Sequence, residues 1–303
     1  MGSTEATGIL HSLADSHSLV VIVHGLGSGP DASYVRAATD HCLQAGLSVL
    51  RLSFRGADEQ AADFYNAALT RDLHVAMACP SLEQFTRRFV LGFSLGGHMA
   101  LRFATETEHP AMHAVAAICP PLDLKGCQIA LDAPRFNVYR DHCLKGLRRT
   151  VRAAAKRASE MGVTLPVDLN ALNSIKTIYA WDDQVVAPRF GYGDADDYYA
   201  QCSAGPRLSG LRRPSLVVAA QFDPMVPIET LRPYFDAPDL TVTTPTRGGH
   251  VGFPSDLNLG FQGKRGLIAQ TLTWLQEQVA PTPSARSAPD VSLAGYGRSW
   301  RPK

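Results

Sequence analysis

Short apolar segments rich in β-branched residues alternate along this chain with segments of helical periodicity. Near-continuous apolar strands separated by helices are typical of a parallel β-sheet that is covered on both faces. Six strands are predicted, at residues 19–24, 47–53, 89–93, 115–119, 216–221 and 240–243. Helices are predicted between residues 30 and 46 and at 63–77, 95–105 and 267–279. We therefore predict an α/β fold with a mostly parallel sheet of about six strands flanked by helices.

The alternation of strands and helices breaks between residues 119 and 216. About 95 residues separate these two predicted strands, whereas a strand–helix–strand unit needs only about 30. The intervening segment shows helical periodicity without strand patterns. We predict one domain over residues 1–279, interrupted by a helical cap at about 121–213. The tail at 280–303 is rich in Pro, Ser and Arg, and we expect it to lack regular structure.

Charge and cysteine spacing exclude several classes of protein. The chain has 29 Lys and Arg against 28 Asp and Glu, so no nucleic-acid partner is expected. The apolar run at 19–23 is too short for a secretion signal or for a membrane span of about 20 residues. The six cysteines lie far apart, which predicts reduced, buried thiols and a cytoplasmic protein. The oligomeric state stays open.

The segment Gly92-Phe93-Ser94-Leu95-Gly96 matches G-x-S-x-G and lies between a predicted strand and a predicted helix. This is the setting of a nucleophile elbow, a sharp turn that exposes a serine hydroxyl. Glycines flank such a serine because the turn brings backbone segments too close for side chains. The helix N-terminus also favours negative charge near the serine oxygen. Ser94 is the candidate nucleophile.

A serine hydroxyl needs a general base, and that base needs an acid to orient it. His250 follows the last predicted strand in a Gly-rich loop, and Asp223 follows the strand at 216–221. Both therefore lie at the carboxyl edge of the predicted sheet. Ser94, Asp223 and His250 occur in the chain order that accompanies a G-x-S-x-G elbow. Asp123 also follows a strand and stays open as the alternative acid.

Acyl transfer also requires N–H donors for the developing oxyanion. One donor is assigned to the backbone N–H of Leu95, and the second to that of Leu26 in the loop at 24–29. His24 is interpreted as bracing this loop. No Lys follows these glycines, which argues against a phosphate-binding loop. We expect neither a cofactor nor a metal.

These residues resemble the α/β-hydrolase superfamily. Within it they are similar to the YheT-like branch (the AB hydrolase-4 family), which includes the ABHD1- and ABHD3-type proteins and the yeast ethyl ester synthase/esterases. The matching segments are HGLGS at 24–28, FRG at 54–56, GFSLGG at 92–97, GYGDADDYY at 191–199 with QCS at 201–203, and GGHVGF at 248–253. The resemblance implies a serine carboxylic-ester hydrolase with Ser94, Asp223 and His250 as its triad. It also implies a helical cap inserted between the sixth and seventh strands of the family.

The chain departs from this branch at two places. Members usually carry a longer N-terminal region with antiparallel strands, whereas 23 residues precede His24 here. We therefore expect the N-terminal strands to be trimmed. The position after Gly96-Gly97 is commonly Asn in the branch and is His98 here. His98 is interpreted as packing behind the elbow rather than joining catalysis.

The aromatic residues of the cap are candidates for an apolar substrate pocket, with packing inside the cap as the alternative. They are Trp181, Phe190, Tyr192, Tyr198 and Tyr199. Asp182 and Asp183 are interpreted as helix caps or ion-pair partners rather than metal ligands. A basic helix face is interpreted as solvated, with anionic lipid or acyl-phosphate binding as the alternative; it comprises Lys145, Arg148, Arg149, Arg152, Lys156 and Arg157.

The predicted function is hydrolysis of a small-molecule carboxylic ester, on an apolar or acyl-chain substrate, through an acyl-serine intermediate. Acyl transfer to an alcohol, thiol or amine by the same triad stays open. The sequence does not show whether water or another nucleophile attacks the acyl-serine in the second step. A non-catalytic ligand-binding protein with a hydrolase fold is the less favoured alternative.

Overall fold

The computed structural model describes residues 7–279 and 298–300. In this part of the chain one sheet has the strand order β7-β6-β5-β4-β2-β3-β1-β8. Strands β2 to β7 pair in parallel, whereas β1 pairs antiparallel with both β3 and β8. The strands are β1 (Thr7–His11), β2 (Ser18–Val23), β3 (Ser48–Ser53), β4 (Arg87–Phe93), β5 (Met112–Ile118), β6 (Ser215–Val218), β7 (Leu240–Thr243) and β8 (Arg298–Trp300).

Helices cover both faces of the sheet. Those described are α1 (Ser33–Gln44), α2 (Arg71–Met77), α3 (Leu95–Glu106), α4 (Leu124–Asp132), α5 (Asn137–Glu160), α6 (Ile178–Trp181), α7 (Ala187–Phe190), α8 (Ala195–Cys202) and α9 (Leu267–Glu277). Buried residues alternate along β2: Val21 packs with the core beneath α3, and Val20 packs with the core beneath α1 and α9. This alternation explains the uninterrupted apolar runs, because each strand is buried on both sides.

The predicted α/β fold is confirmed, and all six predicted strands are present. Two further strands extend the sheet beyond β3. One of them, the antiparallel strand β1, precedes β2 in the chain and pairs with β3, although we expected the N-terminal strands to be trimmed. Strand β8 belongs to the tail for which no regular structure was expected, and it pairs with β1. The rest of the tail, at 280–297 and 301–303, lies outside the described residues.

The helix predicted at 63–77 begins only at Arg71. In the preceding segment, the Asn66 side chain accepts a hydrogen bond from the N–H of Ala68, and the N–H of Ala67 donates to the hydroxyl of Tyr198. Backbone groups that bond to side chains in this way are withdrawn from helical hydrogen bonds. The segment is therefore a loop between β3 and α2, and it contacts the insertion after β5 through Tyr198.

The insertion between β5 and β6 carries helices α4 to α8, and we call residues 121–213 the cap. The side chain of Arg189 in the cap donates to both carboxylate oxygens of Asp63, at 3.0 and 2.7 Å. Between α6 and α7 the chain forms one π-helical segment, Asp182–Val186. The cap thus lies against the loops at the carboxyl ends of the strands.

All six cysteines are buried and free, as predicted. Within residues 7–279 and 298–300, no helix has both the length and the apolar character that crossing a membrane would require.

Candidate active site

Ser94 occupies a strained turn between β4 and α3. Its backbone angles are φ 52° and ψ −121°, a conformation that non-glycine residues rarely adopt. A Cβ atom at Gly92 would overlap the carbonyl oxygen of Gly96, and a Cβ at Gly96 would overlap that of Val23. Only glycine fits at these two positions, because neighbouring backbone segments approach too closely for a side chain. The turn places the Ser94 hydroxyl at the N-terminus of α3, where the helix dipole favours negative charge.

The structure brings His250 and Asp223 to this serine. Nε2 of His250 lies 2.9 Å from Oγ of Ser94, and Nδ1 lies 2.9 Å from Oδ2 of Asp223. A carboxylate can only accept, so Nδ1 carries the hydrogen and Nε2 is free to accept from the serine hydroxyl. Asp223 is 7% exposed. The three side chains thus form one hydrogen-bonded chain, with the imidazole orientated by the acid.

The carboxylate of Asp223 is held by its own loop. Its Oδ1 accepts hydrogen bonds from the backbone N–H groups of Met225 and Val226, at 2.8 and 3.0 Å. Asp123, the alternative acid, instead caps helix α4 by accepting from the N–H of Gly126 at 3.0 Å. The geometry therefore favours Asp223 as the partner of His250.

The loop after β2 lies beside the serine and is tied down by tyrosines. Tyr34 accepts a hydrogen bond from the N–H of Gly25, and Tyr65 accepts one from the N–H of Gly27, both at 2.8 Å. Among the described residues, no protein acceptor is found for the intervening N–H of Leu26 or for that of Leu95. Both leucines line the pocket that contains Ser94. These two N–H groups are thus available for a ligand oxygen.

His24 braces the same loop from beneath. It is fully buried, and Nδ1 contacts the carbonyl oxygen of Gly25 at 2.9 Å. Nε2 accepts from the N–H of Phe54 at 3.2 Å. Burial lowers the pKa of His24 to about 4, so the imidazole is neutral near pH 7. This arrangement agrees with the bracing role that we expected.

His98 packs behind the elbow, as the sequence indicated. It is fully buried, with Nδ1 2.8 Å from the carbonyl oxygen of Pro121 and Nε2 3.1 Å from that of Cys202. Burial lowers its pKa to about 4. His98 therefore lies between α3 and two segments of the cap, and its neutral imidazole donates to one of these two carbonyl oxygens. The hydrogen bonds of the His250 ring go to Asp223 and Ser94 instead.

The pocket in front of Ser94 lies between the sheet edge and the cap. Its wall is mainly apolar, and it includes Leu124, Leu131, Leu147, Ile178, Trp181, Val186, Met225 and Val226. Trp181, Tyr198 and Tyr199 line it, whereas the predicted lining residues Phe190 and Tyr192 do not. Phe190 packs against Phe64, with ring centroids 5.3 Å apart. Tyr192 packs on Tyr198 and accepts a hydrogen bond from the thiol of Cys202.

The polar residues of the pocket that were missed as site residues include Asn66, Gln128 and Asp182. Asp182 lines the pocket and accepts from the hydroxyl of Tyr199 at 2.7 Å. Within residues 7–279 it neither caps a helix nor forms an ion pair, unlike the roles that we expected. Burial raises the pKa of Asp182 to about 7. Gln128 also lines the pocket, and its only sequence signal was its spacing of four from Asp132 on a helix. Asp183, in contrast, accepts from the N–H of Ala195 at the start of α8.

Cys119 lies close to Asp223 and His250, and the potential ligand atoms of the three residues fall within 4.8 Å of one another. Burial and the charge of Asp223 raise the pKa of the Cys119 thiol. A thiol that keeps its proton is a poor metal ligand, and both imidazole nitrogens of His250 are already engaged. The arrangement therefore fits the hydrogen-bonded chain better than it fits a metal site.

The basic face of α5 makes local contacts. Arg148 donates to the carbonyl oxygens of Leu172 and Ile175, and Arg149 pairs with Glu59 at 3.0 Å. Arg152 donates to the side chain of Asn173. These three arginines therefore have partners within the protein, and the interpretation of the face as solvated stays a prediction.

Comparisons with known proteins agree with the fold. The family model described as "alpha/beta hydrolase fold" matches residues 18–256. The chain is 30% identical to YheT of Escherichia coli over 245 residues, covering 77% of this chain and 70% of that protein. It is 27% identical to a monoacylglycerol lipase of Saccharomyces cerevisiae, covering 80% of this chain and 56% of the lipase.

A third relative is the medium-chain fatty acid ethyl ester synthase/esterase 2 of Saccharomyces cerevisiae. Identity is 24%, and the match covers 86% of this chain and 63% of that enzyme. The chain thus spans less than two thirds of the length of either yeast relative. From the family match and the likeness to YheT, the chain belongs to the α/β-hydrolase family, in the branch of YheT and the ABHD-type proteins.

Proposed function

We propose that this protein hydrolyses carboxylic esters of small molecules through an acyl-enzyme intermediate at Ser94. The observation that carries the proposal is the hydrogen-bonded chain from Asp223 through His250 to Ser94, with both connecting distances at 2.9 Å. Such an arrangement supplies a nucleophile, a general base and an orienting acid in one line. Membership of a family with lipase and esterase relatives supports the same reaction class.

In the acylation step, Nε2 of His250 removes the hydroxyl proton while Oγ of Ser94 attacks the ester carbonyl carbon. The resulting imidazolium is stabilised by Asp223, whose carboxylate stays fixed by two backbone N–H groups. The imidazolium then gives its proton to the departing alkoxide, so that the alcohol leaves and the acyl group remains on Ser94.

The negative charge that develops on the carbonyl oxygen is proposed to be bound by the N–H groups of Leu26 and Leu95. Removal of one such donor costs roughly 3–4 kcal/mol of transition-state stabilisation in enzymes of this kind. The tyrosines that accept from Gly25 and Gly27 would hold the Leu26 N–H in place. Water activated by His250 then attacks the acyl-serine and releases the acid.

Acyl transfer is the second candidate, because one relative is named as both an ester synthase and an esterase. The acyl-enzyme is the same in both reactions, and an alcohol replaces water in the second step. The apolar wall formed by residues such as Leu131, Leu147 and Trp181 suits a hydrocarbon acyl group in either case.

The test is a series of p-nitrophenyl esters from acetate to palmitate, assayed with wild type and Ser94→Ala. We expect wild type to hydrolyse at least one member of the series and Ser94→Ala to lose this activity. Formation of ethyl esters in added ethanol would identify acyl transfer. If wild type and Ser94→Ala bind an ester equally and neither turns it over, a non-catalytic binding protein is the better account.

A further inference from the structure

Helix α5 of the cap packs directly on the loop that carries the N–H of Leu26. A Cβ atom at Gly146 would lie 2.0 Å from the carbonyl oxygen of Gly27 and 2.6 Å from its Cα atom. From the side of the loop, a Cβ atom at Gly27 would lie 2.8 Å from the carbonyl oxygen of Cys143. The contact is therefore between main-chain atoms, and turning a side chain cannot relieve it.

The contact is buried and is held on both sides. Gly27, Cys143 and Gly146 are all buried, and the N–H of Gly27 donates to the hydroxyl of Tyr65 at 2.8 Å. Leu147, the residue after Gly146, belongs to the core and lines the pocket in front of the nucleophile. Helix α5 thus forms part of the pocket wall with one residue and supports the loop with the residue before it.

Glycine is otherwise unfavourable at this position. Helix α5 runs from Asn137 to Glu160, so Gly146 lies in its interior. Alanine stabilises a helix interior relative to glycine, because glycine loses more conformational freedom when the helix forms. Here the main chain of Gly27 occupies the space that a Cβ atom would need. Position 146 therefore requires glycine because of the loop and not because of the helix.

We propose that Gly146 is a positioning residue for the oxyanion donor. By letting α5 approach Gly27, it fixes the loop in the place from which the N–H of Leu26 reaches the substrate carbonyl oxygen. This inference rests on the proposed ester hydrolysis and specifies how one donor of that site is held. Leu26 and Gly27 are neighbours, with Cα atoms about 3.8 Å apart, so a displacement of one is passed to the other.

An added methyl group at position 146 must displace the loop or the helix. Restoring an ordinary contact of 3.4 Å to the carbonyl oxygen of Gly27 needs a shift on the order of 1 Å. An oxyanion donor acts within about 2.7–3.1 Å of the oxyanion, and a misplacement of about 1 Å can cost about 100-fold in rate. Movement of the loop lowers kcat, whereas movement of α5 also shifts Leu147 and raises KM.

The test compares Gly146→Ala with wild type on two p-nitrophenyl esters that differ in one atom. One is an ordinary ester, and the other is the thionoester, in which sulfur replaces the carbonyl oxygen. Sulfur is a weak hydrogen-bond acceptor, so the thionoester depends less on the N–H donors. We expect Gly146→Ala to lower kcat for the ordinary ester by roughly 10- to 100-fold, with KM within about threefold. The ratio of kcat/KM for the ordinary ester to that for the thionoester should fall by about fivefold or more.

The matched control is Val151→Ala, which removes volume from the buried face of the same helix. Val151 is 1% exposed and lies five residues after Gly146, so its side chain is about 140° away around α5. The control should lower stability and keep the ratio for the two esters. If thermal melting shows that Gly146→Ala is unfolded, Gly27→Ala carries the same test, because it brings a Cβ atom against Cys143 from the side of the loop.

Hydrogen exchange of the peptide that contains residues 24–29 is a second readout, and it needs no turnover. Exchange should be faster in Gly146→Ala than in wild type, because displacement of the loop weakens the hydrogen bonds from Gly25 and Gly27 to their tyrosines. Val151→Ala should leave the exchange of this peptide unchanged.

A folded Gly146→Ala that keeps the kcat, the ester ratio and the loop exchange of wild type would overturn the inference. Equal losses on both esters would also overturn it, since they would show damage to the cap alone. If wild type hydrolyses neither ester, the proposed function fails. Faster loop exchange confined to Gly146→Ala would then still support the role of Gly146 in holding the loop, and unchanged exchange would reject it.

Discussion

Nε2 of His250 lies 2.9 Å from Oγ of Ser94, although 156 residues separate the two along the chain. The contact depends on the parallel sheet, which brings the turn after β4 and the loop after β7 to the same edge. Catalysis by this pair therefore depends on groups that orient the imidazole and shape the turn, and these groups can be tested one at a time.

Asp223→Asn should lower kcat for a p-nitrophenyl ester by about 10⁴-fold. The amide can donate to Nδ1, which favours the imidazole tautomer that cannot accept the serine proton on Nε2. Asp123→Asn is the matched control and should stay close to wild type in kcat and stability, because Asn caps a helix nearly as well as Asp. Steady-state kinetics decide between them, and equal losses in both variants would contradict our assignment of the acid.

Tyr34→Phe should lower kcat about tenfold and leave KM within about twofold. The Tyr34 hydroxyl accepts from the N–H of Gly25 and holds the loop that carries the Leu26 N–H. An oxyanion donor acts mainly in the transition state, so its displacement affects kcat rather than substrate binding. A rise in KM at unchanged kcat would instead show that this loop contributes only to binding.

Gly96→Ala should destabilise the protein by roughly 1–3 kcal/mol or more, because the added methyl group overlaps the carbonyl oxygen of Val23. The matched control is Gly210→Ala, since a Cβ there meets no atom within 4 Å. Its effect should stay within about 0.5 kcal/mol. Urea denaturation measures both, and a tolerated Gly96→Ala would contradict the close approach at the elbow.

The contribution of His98 to stability should fall as pH drops from about 6.5 to about 4. Burial lowers its pKa to about 4 in the folded protein, so in this range the unfolded chain binds a proton that the folded chain does not. The loss is on the order of 3 kcal/mol and is absent above pH 6.5. Asp182 has the opposite effect. Burial raises its pKa to about 7, so its contribution to the free energy of unfolding decreases as pH rises from 4 to 7.

The variant His98→Asn isolates the histidine contribution, because all other titrating groups are common to both proteins. The free energy of unfolding of wild type relative to this variant should decrease between pH 6.5 and 4 and be constant from 7 to 8. Urea titrations at several pH values provide the comparison. A difference that does not vary with pH would show that His98 is not held neutral by burial.

The strands that were predicted and those that were missed differ in a physical way. Strand β2 is buried on both faces and reads as an apolar run, whereas β1 (TGILH) lies on the antiparallel side and only its first two residues are fully buried. The chain order of Ser94, Asp223 and His250 could be predicted, because parallel strands place their carboxyl ends together. The loop at 63–70 could not, because its contact with Tyr198 involves residues 131 positions away.

The pocket was the least predictable part of the site. Phe190 and Tyr192 have the same apolar character as Trp181, and sequence does not show which of them faces the serine. The π-helical segment changes the helical period between Trp181 and Phe190, so an α-helical pattern gives the wrong faces. The orientation of the Gln128 amide depends on its bond to Asp132, and only the three-dimensional arrangement places this residue in the pocket wall.

The central claim is that Ser94 is an activated nucleophile, and labelling with a fluorophosphonate probe tests it most directly. Mass spectrometry of the digested protein should find the phosphonyl group on the peptide that contains Ser94. Labelling should be lost in Ser94→Ala and strongly slowed in the folded His250→Ala variant. Folded wild-type protein that stays unlabelled, or that carries the label on another residue, would contradict the account.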